Sequence, residues 1–261
     1  MPYALERETN SFYKEGTEVM KTIGLIGGLS WVSSQEYYRI INEAVAQRLG
    51  GAHSAACILY SVDFAEIEAL QHQDRWEEAG ALLSQVAQRL QEAGADILLI
   101  CANTMHRVAP AIQERVRIPL LHIADPTAEA IKACGVQTVG LLGTRFTMEQ
   151  TFLRDRLESV HGLHVLIPAQ AEREDVHKIV YQELVRGIVT TEAERRMQEV
   201  IAGLVSRGAE GIILGCTEFM LLIRPKEMQV PTFDTTTLHA LAAVNIALAP
   251  ASAPSCSATH L

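Results

Sequence analysis

The sequence predicts an α/β protein made of two similar units, each a mainly parallel sheet flanked by helices. Two observations predict it. Short apolar runs bounded by Gly or Pro alternate with longer stretches whose apolar residues recur at helical spacing, and buried strands alternating with helices imply parallel sheets covered on both faces. The second half of the chain also repeats the first. Val139-Gly140-Leu141-Leu142-Gly143 echoes Ile23-Gly24-Leu25-Ile26-Gly27, the run from Gly208 to Leu214 echoes that from Gly94 to Ile100, and Val230-Pro231 echoes Ile118-Pro119, in the same order and at similar offsets.

In chain order, Lys21 to Gly27 is a strand ending in Gly-Gly. Ser33-Ser34-Gln35-Glu36 has the form of a capping box. It opens a helix whose Tyr37, Ile40, Ile41, Ala44 and Val45 share one face. Ala56 to Val62 is the next strand. A helix from about Trp76 to Glu92 ends at Gly94, Ile97 to Cys101 is a strand, and a helix comes next around Met105 to Arg115. Pro119 introduces Leu120 to Ile123 as a further strand. Thr191-Glu192-Ala193-Glu194 again has capping-box form. Arg186 and the charged residues from Glu192 to Arg196 belong on solvated helix faces.

A duplicated α/β unit of this kind predicts two Rossmann-like domains related by a pseudo-twofold axis, with the active site at their interface. Ligands in such folds sit beyond the carboxyl ends of strands. The expected division is 20–125 plus 235–250 for the first domain and 126–234 for the second, the helix after Asp234 crossing back to the first. Residues 1–19 are polar, lack the apolar core of a secretory signal and precede Met20 at the door of the first strand. They read as an upstream extension or tag. Residues 251–261 read as a small, polar, disordered tail.

The 261 residues are 48% hydrophobic and 20% charged, as in a soluble enzyme. A formal net charge of -9 excludes the basic footprint that nucleic acid requires. Five scattered cysteines without CxxC spacing argue against a structural zinc site and against a disulfide framework, and point to a reducing, cytoplasmic setting. No apolar stretch is long enough for a bilayer. The Gly27-Gly28 turn lacks the full dinucleotide-binding pattern.

The chemistry concentrates at two strand ends. One reads Cys101-Ala102-Asn103-Thr104-Met105-His106, the other Gly215-Cys216-Thr217-Glu218, and the repeat sets Ala102 opposite Cys216 and Asn103 opposite Thr217. Each turns from strand into helix, where N–H groups can hold a carboxylate. The same field lowers a cysteine pKa and would make Cys216 a thiolate base, although an inert buried cysteine is the commoner fate of a free thiol. Cys101 is adjacent to Ala102 but, within a strand, points to the other face.

The segments GLIGGLSW, CANTMH, GTRFTMEQ and GCTE, in this order and spacing, resemble the aspartate/glutamate racemase family over residues 20–248. The resemblance implies an amino-acid racemase that uses no pyridoxal phosphate or other cofactor. Two residues flank the substrate Cα, one removing its proton and the other delivering one to the opposite face. Aspartate or glutamate is the implied substrate, and a homodimer the implied assembly. Cys216 is one acid/base. Asn103, Thr104 and Thr217 are assigned to stabilising the enediolate that forms at the carboxylate. The family pattern has cysteine, and in this branch sometimes threonine, where this chain has Ala102, which transfers no proton. Three readings stay open: an engineered inactive variant, a natural enzyme using water, Thr104 or Cys101 on that face, or a chain that no longer racemises.

Further candidates carry competing structural roles. Ser30 is a pocket contact or part of a tight turn. Gln71 bonds a substrate side chain or lies in a solvated loop. Thr144 binds carboxylate, and Thr147 caps the helix before Met148. Asp63 is a pocket residue or a strand-end cap. Glu218 sets the protonation of Cys216, meets the ammonium group, or favours a helix start. His106, His122 and His239 read as packing residues. The rival functions are a one-cysteine proton-transfer enzyme of decarboxylase type and a non-catalytic amino-acid binding protein.

Overall fold

A computed structural model describes residues 20–224 and 228–250. The expectations for 1–19 and 251–261 lie outside them. The first sheet holds β1 (Ile23–Gly27), β2 (Cys57–Ser61) and β3 (Ile97–Ile100) in the order β2-β1-β3, all parallel, with Ile23 level with both Cys57 and Ile97. The second holds β4 (Thr138–Leu142), β5 (His164–Leu166), β6 (Gly211–Leu214) and β7 (Thr232–Asp234) in the order β5-β4-β6-β7, also parallel. The helices are α1 (Trp31–Leu49), α2 (Phe64–His72), α3 (Trp76–Glu92), α4 (Ala109–Gln113), α5 (Ala124–Ala133), α6 (Arg145–Glu149), α7 (Thr151–Asp155), α8 (Gln170–Lys178), α9 (Thr191–Ser206) and α10 (Thr235–Ala247).

Strand periodicity sorts the core. Ile23, Leu25, Ile97, Leu99 and Cys101 face α1 and α10, whose Tyr37, Ile41, Ala240 and Val244 complete that cluster. The alternate residues Ile26, Leu98 and Ile100 face α3, against Leu83 and Leu90. The second sheet divides likewise. Val139, Leu141 and Ile213 pack on α5, and Leu142, Ile212 and Leu214 pack on α9.

The sequence echo is also an echo of bonds. Gly94 and Gly208 both end a helix with positive φ, at 99° and 100°. Ala95 N–H then bonds Leu90 O as Ala209 N–H bonds Leu204 O. The carboxylate of Asp96 accepts from Thr22 N–H, and that of Glu210 from Gln137 and Thr138 N–H. Leu98 N–H bonds Pro119 O as Ile212 N–H bonds Pro231 O.

Several local expectations are corrected. The helix after β1 starts at Trp31, so Ser33 and Ser34 lie inside its first turn and form no capping box. Ser34 Oγ instead accepts from Gly28 N–H at 2.8 Å. Leu120 forms a single parallel bridge to Leu98 rather than a strand, because the chain turns into α5 at Ala124. The segment after β3 is a 3-10 turn, Thr104–Val108, succeeded by the short α4 with a proline in its first turn. Thr190, not Thr191, caps α9, its hydroxyl accepting from Ala193 N–H. Phe64 to His72 is a helix, capped by Asp63, where a loop was expected.

Candidate functional site

A cleft of about 420 Å³ opens where the carboxyl ends of β1, β3, β4 and β6 meet. A second hollow, about 530 Å³, lies against α9 between Met197, Val205 and Leu222, and neither cysteine nor histidine lines it. The cleft therefore holds the candidate chemistry.

Equivalent hydrogen bonds fix the register of its two key positions. Cys101 N–H bonds Ile26 O at 2.9 Å, and Gly215 N–H bonds Leu142 O at 2.8 Å. Ala102 and Cys216 are each the next residue, and both line the cleft. Cys101 is fully buried in the α1–α10 cluster, and burial holds its thiol far above the ordinary range.

Cys216 is partly buried, and its Sγ donates to Glu218 Oε2 at 2.9 Å. Thr217 Oγ1 donates to the same oxygen at 2.7 Å, and Ser30 Oγ reaches Oε1 at 3.5 Å. Burial first, then the Glu218 carboxylate, push the Cys216 thiol well above its ordinary value. This corrects the expectation of a thiol lowered by a helix end. Cys216 leads into only a five-residue 3-10 turn, Thr217–Leu221, whose small field is outweighed by desolvation and a carboxylate in contact.

The opposite wall is polar. Asn103 is buried; its Nδ2 donates to Thr235 Oγ1 at 3.0 Å, while its Oδ1 has no partner. A buried unpaired acceptor is costly to leave so, and this one sits beneath the cleft surface, out of reach of a ligand unless the wall shifts. Thr104 Oγ1 lies 3.3 Å from the hydroxyls of both Thr144 and Thr147. Thr144 and not Thr147 caps α6, since its hydroxyl accepts from Thr147 N–H. Thr147 is fully buried behind it.

The turn after β1 supplies the floor. Gly28 has φ 76°, and a Cβ there would fall inside contact distance of the Val62 backbone. Ser30 keeps φ 140° without being glycine, a strained backbone at the edge of the cleft. The neighbouring Ser33 Oγ lies 2.7 Å from Thr217 Oγ1, tying α1 to the Cys216 turn.

Behind Ala102 three histidines cluster. His106 Nδ1 lies 2.8 Å from Ala102 O, and Ile123 N–H donates to its Nε2 at 3.1 Å. These partners assign the proton to Nδ1 and a neutral ring. Desolvation lowers His106 to about 4. His239, between Tyr37 OH and Leu121 O, is lowered by burial to about 3. None of the three lines the cleft.

Gln71 does line the cleft, but from α2, buried, with Nε2 at 2.9 Å from Met105 Sδ. Asp63 caps α2 and is not a lining residue. The outer wall was not anticipated from sequence. It consists of Phe64 and Glu68 from α2, with Tyr181, Val185 and Arg186 from the π- and 3-10-helical stretch after α8. Burial raises the Tyr181 phenol to about 12, with Cys216, Glu68 and Glu218 adding to the effect. Among the described residues no cluster of His, Cys, Asp or Glu is arranged as a metal site, and no helix is long and apolar enough to cross a membrane.

Parallel sheets with a cysteine–carboxylate pair in a cleft at their strand ends describe an α/β enzyme site for moving protons. The chain belongs to the Asp/Glu/hydantoin racemase family, whose model matches residues 26–243. A Yersinia pestis protein assigned to the Asp/Glu racemases is 50% identical, with 88% of this chain and all of that one covered and a TM-score of 0.84. An aspartate racemase homologue from Pyrococcus horikoshii is 34% identical over 87% and 99% of the two chains, with a TM-score of 0.78. The broad specificity amino-acid racemase of Bacillus subtilis is 23% identical over 62% of this chain and 70% of its own.

Proposed function

We propose that this chain binds a free amino acid in the cleft with its Cα between Ala102 and Cys216, and that Cys216 exchanges the Cα proton. The carrying observation is the hydrogen bond from Cys216 to Glu218. A thiol held above its ordinary value is a poor base alone. The carboxylate in contact is an acceptor for the thiol proton, leaving a thiolate to attack the Cα–H. The Cα–H beside a carboxylate is a very weak acid, so the developing enediolate needs preorganised donors. The hydroxyls of Thr104 and Thr144, which line the cleft, are the donors assigned to it, whereas the protons of Thr217 and Ser33 are already committed to Glu218 and to Thr217.

Racemisation needs a second proton carrier on the Ala102 face. That face holds a methyl group, so we infer weak or absent racemisation with exchange of one enantiomer retained. Aspartate and glutamate as substrates rest on the family resemblance. The division into 20–125 plus 235–250 and 126–234 belongs to this reading, as does a homodimer, supported by Trp31 and Tyr38 lying exposed at helical spacing on α1.

The test is Cα–H exchange of L- and D-amino acids in heavy water, with the unaltered chain and with Ala102→Thr and Ala102→Cys. Racemisation appearing on restoring Thr or Cys supports the reading. No exchange by any of the three overturns it. A thiol at Cys216 with a methyl group at Ala102 favours one second reading, a one-sided proton-transfer enzyme that decarboxylates a malonate. Carbon dioxide release would identify it.

A further inference from the structure

One buried side chain joins the two strand ends of the cleft without lining it. Thr235 opens α10, and its Oγ1 donates to Leu214 O at 3.0 Å and accepts from Asn103 Nδ2 at 3.0 Å. Leu214 ends β6, two residues before Cys216, and Asn103 directly follows Ala102. A threonine hydroxyl has one proton, and Leu214 O takes it. Thr235 can then only accept from Asn103. That turns Nδ2 of the amide toward Thr235 and leaves Oδ1 without a partner. The carbonyl of one strand end thus dictates how the amide of the other is held.

Other side-chain bonds cross the cleft. Ser33 meets Thr217 at 2.7 Å and Ser30 meets Glu218 at 3.5 Å, both holding the turn that follows Cys216. Thr104 meets Thr144 and Thr147 at 3.3 Å, linking the β3 end to α6 and its cap. Of these links, the one through Thr235 joins β3 to β6, the two strands that carry positions 102 and 216. Exchange of a Cα proton on one face needs only Cys216 against the substrate. Inversion needs groups on both faces at a set separation, and small misplacements there are costly. We propose that Thr235 is the positioning residue that sets this separation, acting through Asn103 on one strand end and Leu214 on the other. This rests on the proton-transfer reading of the cleft and adds to it a residue that never touches the substrate.

The test compares Thr235→Val, which keeps the shape and loses the hydroxyl, with Thr235→Ser, which keeps the hydroxyl. Each is made in the unaltered chain and in Ala102→Thr. Two rates are read with aspartate and glutamate: Cα–H exchange of one enantiomer in the unaltered chain, and inversion in Ala102→Thr. Thr235→Val should lower inversion about a hundred-fold and exchange by no more than about three-fold, and Thr235→Ser should bring inversion back to within about three-fold. Equal losses in the two rates overturn the proposal, as does unchanged inversion in Thr235→Val or a failure of Thr235→Ser to rescue it. Should Thr235→Val not fold, the smaller Thr235→Ala takes its place and is read the same way. A second measurement needs no turnover. In Ala102→Cys, the thiols at positions 102 and 216 are bridged with bis-methanethiosulfonate reagents of graded length. One length should dominate with Thr or Ser at position 235, and Thr235→Val should let longer reagents bridge as readily. An unchanged length profile overturns the proposal. If no chain exchanges a Cα proton, the proton-transfer reading falls, and the length profile still decides whether Thr235 sets the separation.

Discussion

The thiol of Cys216 and the carboxylate of Glu218, two residues apart in sequence, meet at 2.9 Å in the cleft wall. The carboxylate contributes to holding the thiol proton in place. Glu218→Gln removes that negative charge, so the Cys216 pKa should fall toward its ordinary value. Alkylation by iodoacetamide should then begin at a pH lower by about one unit. Catalysis should move the other way, falling about a hundred-fold for want of the proton acceptor. Parallel alkylation and exchange profiles check both. A thiol that becomes easier to alkylate while exchange is unaffected would exclude Glu218 from the proton path.

Ala102 occupies the step in its strand end that Cys216 occupies in the other. Ala102→Thr or Ala102→Cys should convert one-enantiomer exchange into racemisation, with a gain of at least about a hundred-fold in the inverted product. Chiral chromatography of the product reads it directly. Cys101→Ala should leave exchange unchanged, because its side chain lies in the α1–α10 cluster.

Gly28→Ala should lower stability by about 3 kcal/mol, because its Cβ would collide with Val62 backbone atoms that cannot turn aside. Urea denaturation measures it. Ser30→Gly should act oppositely on stability, relieving φ 140°. It should also weaken binding by removing the hydroxyl near Glu218.

The buried histidines set an acid limit. His106 and His239 titrate near 4 and 3 in the folded chain against 6.5 ordinarily. The unfolded chain therefore binds more protons below pH 6.5, and stability falls as pH falls toward those lower values. Between pH 7 and pH 5 the loss from these two should be of order 4 kcal/mol. Replacing His239 by Gln, whose amide nitrogen can take the place of Nε2 toward Leu121 O, should flatten this slope. Denaturation midpoints at the two pH values, for both chains, check it.

The repeat was legible because it lies in backbone requirements: glycines ending helices, acidic residues tying the next strand, prolines entering the last. The same register placed Ala102 opposite Cys216 from sequence alone. The outer wall was illegible for a physical reason. Glu68 and Arg186 sit in charged, amphipathic segments that look like solvated surface, and only the packing of α2 near the stretch after α8 turns that surface into a wall. The Ser33–Glu36 box misled because serines beside a glycine turn can serve the turn instead of the helix end. The Cys216 field misled because sequence shows the helix start but not the depth of burial.

The helix α10 closes the cluster over β1 and β3, and its His239 is bonded to Tyr37 of α1. During synthesis β1 leaves the ribosome long before α10 exists. The sheet of β1–β3 must therefore wait with one apolar face covered by α1 alone, while β4–β7, contiguous in sequence, can assemble first. The part of the chain made earliest is finished last, and a chain cut after β7 would keep its second sheet while leaving the first unsealed.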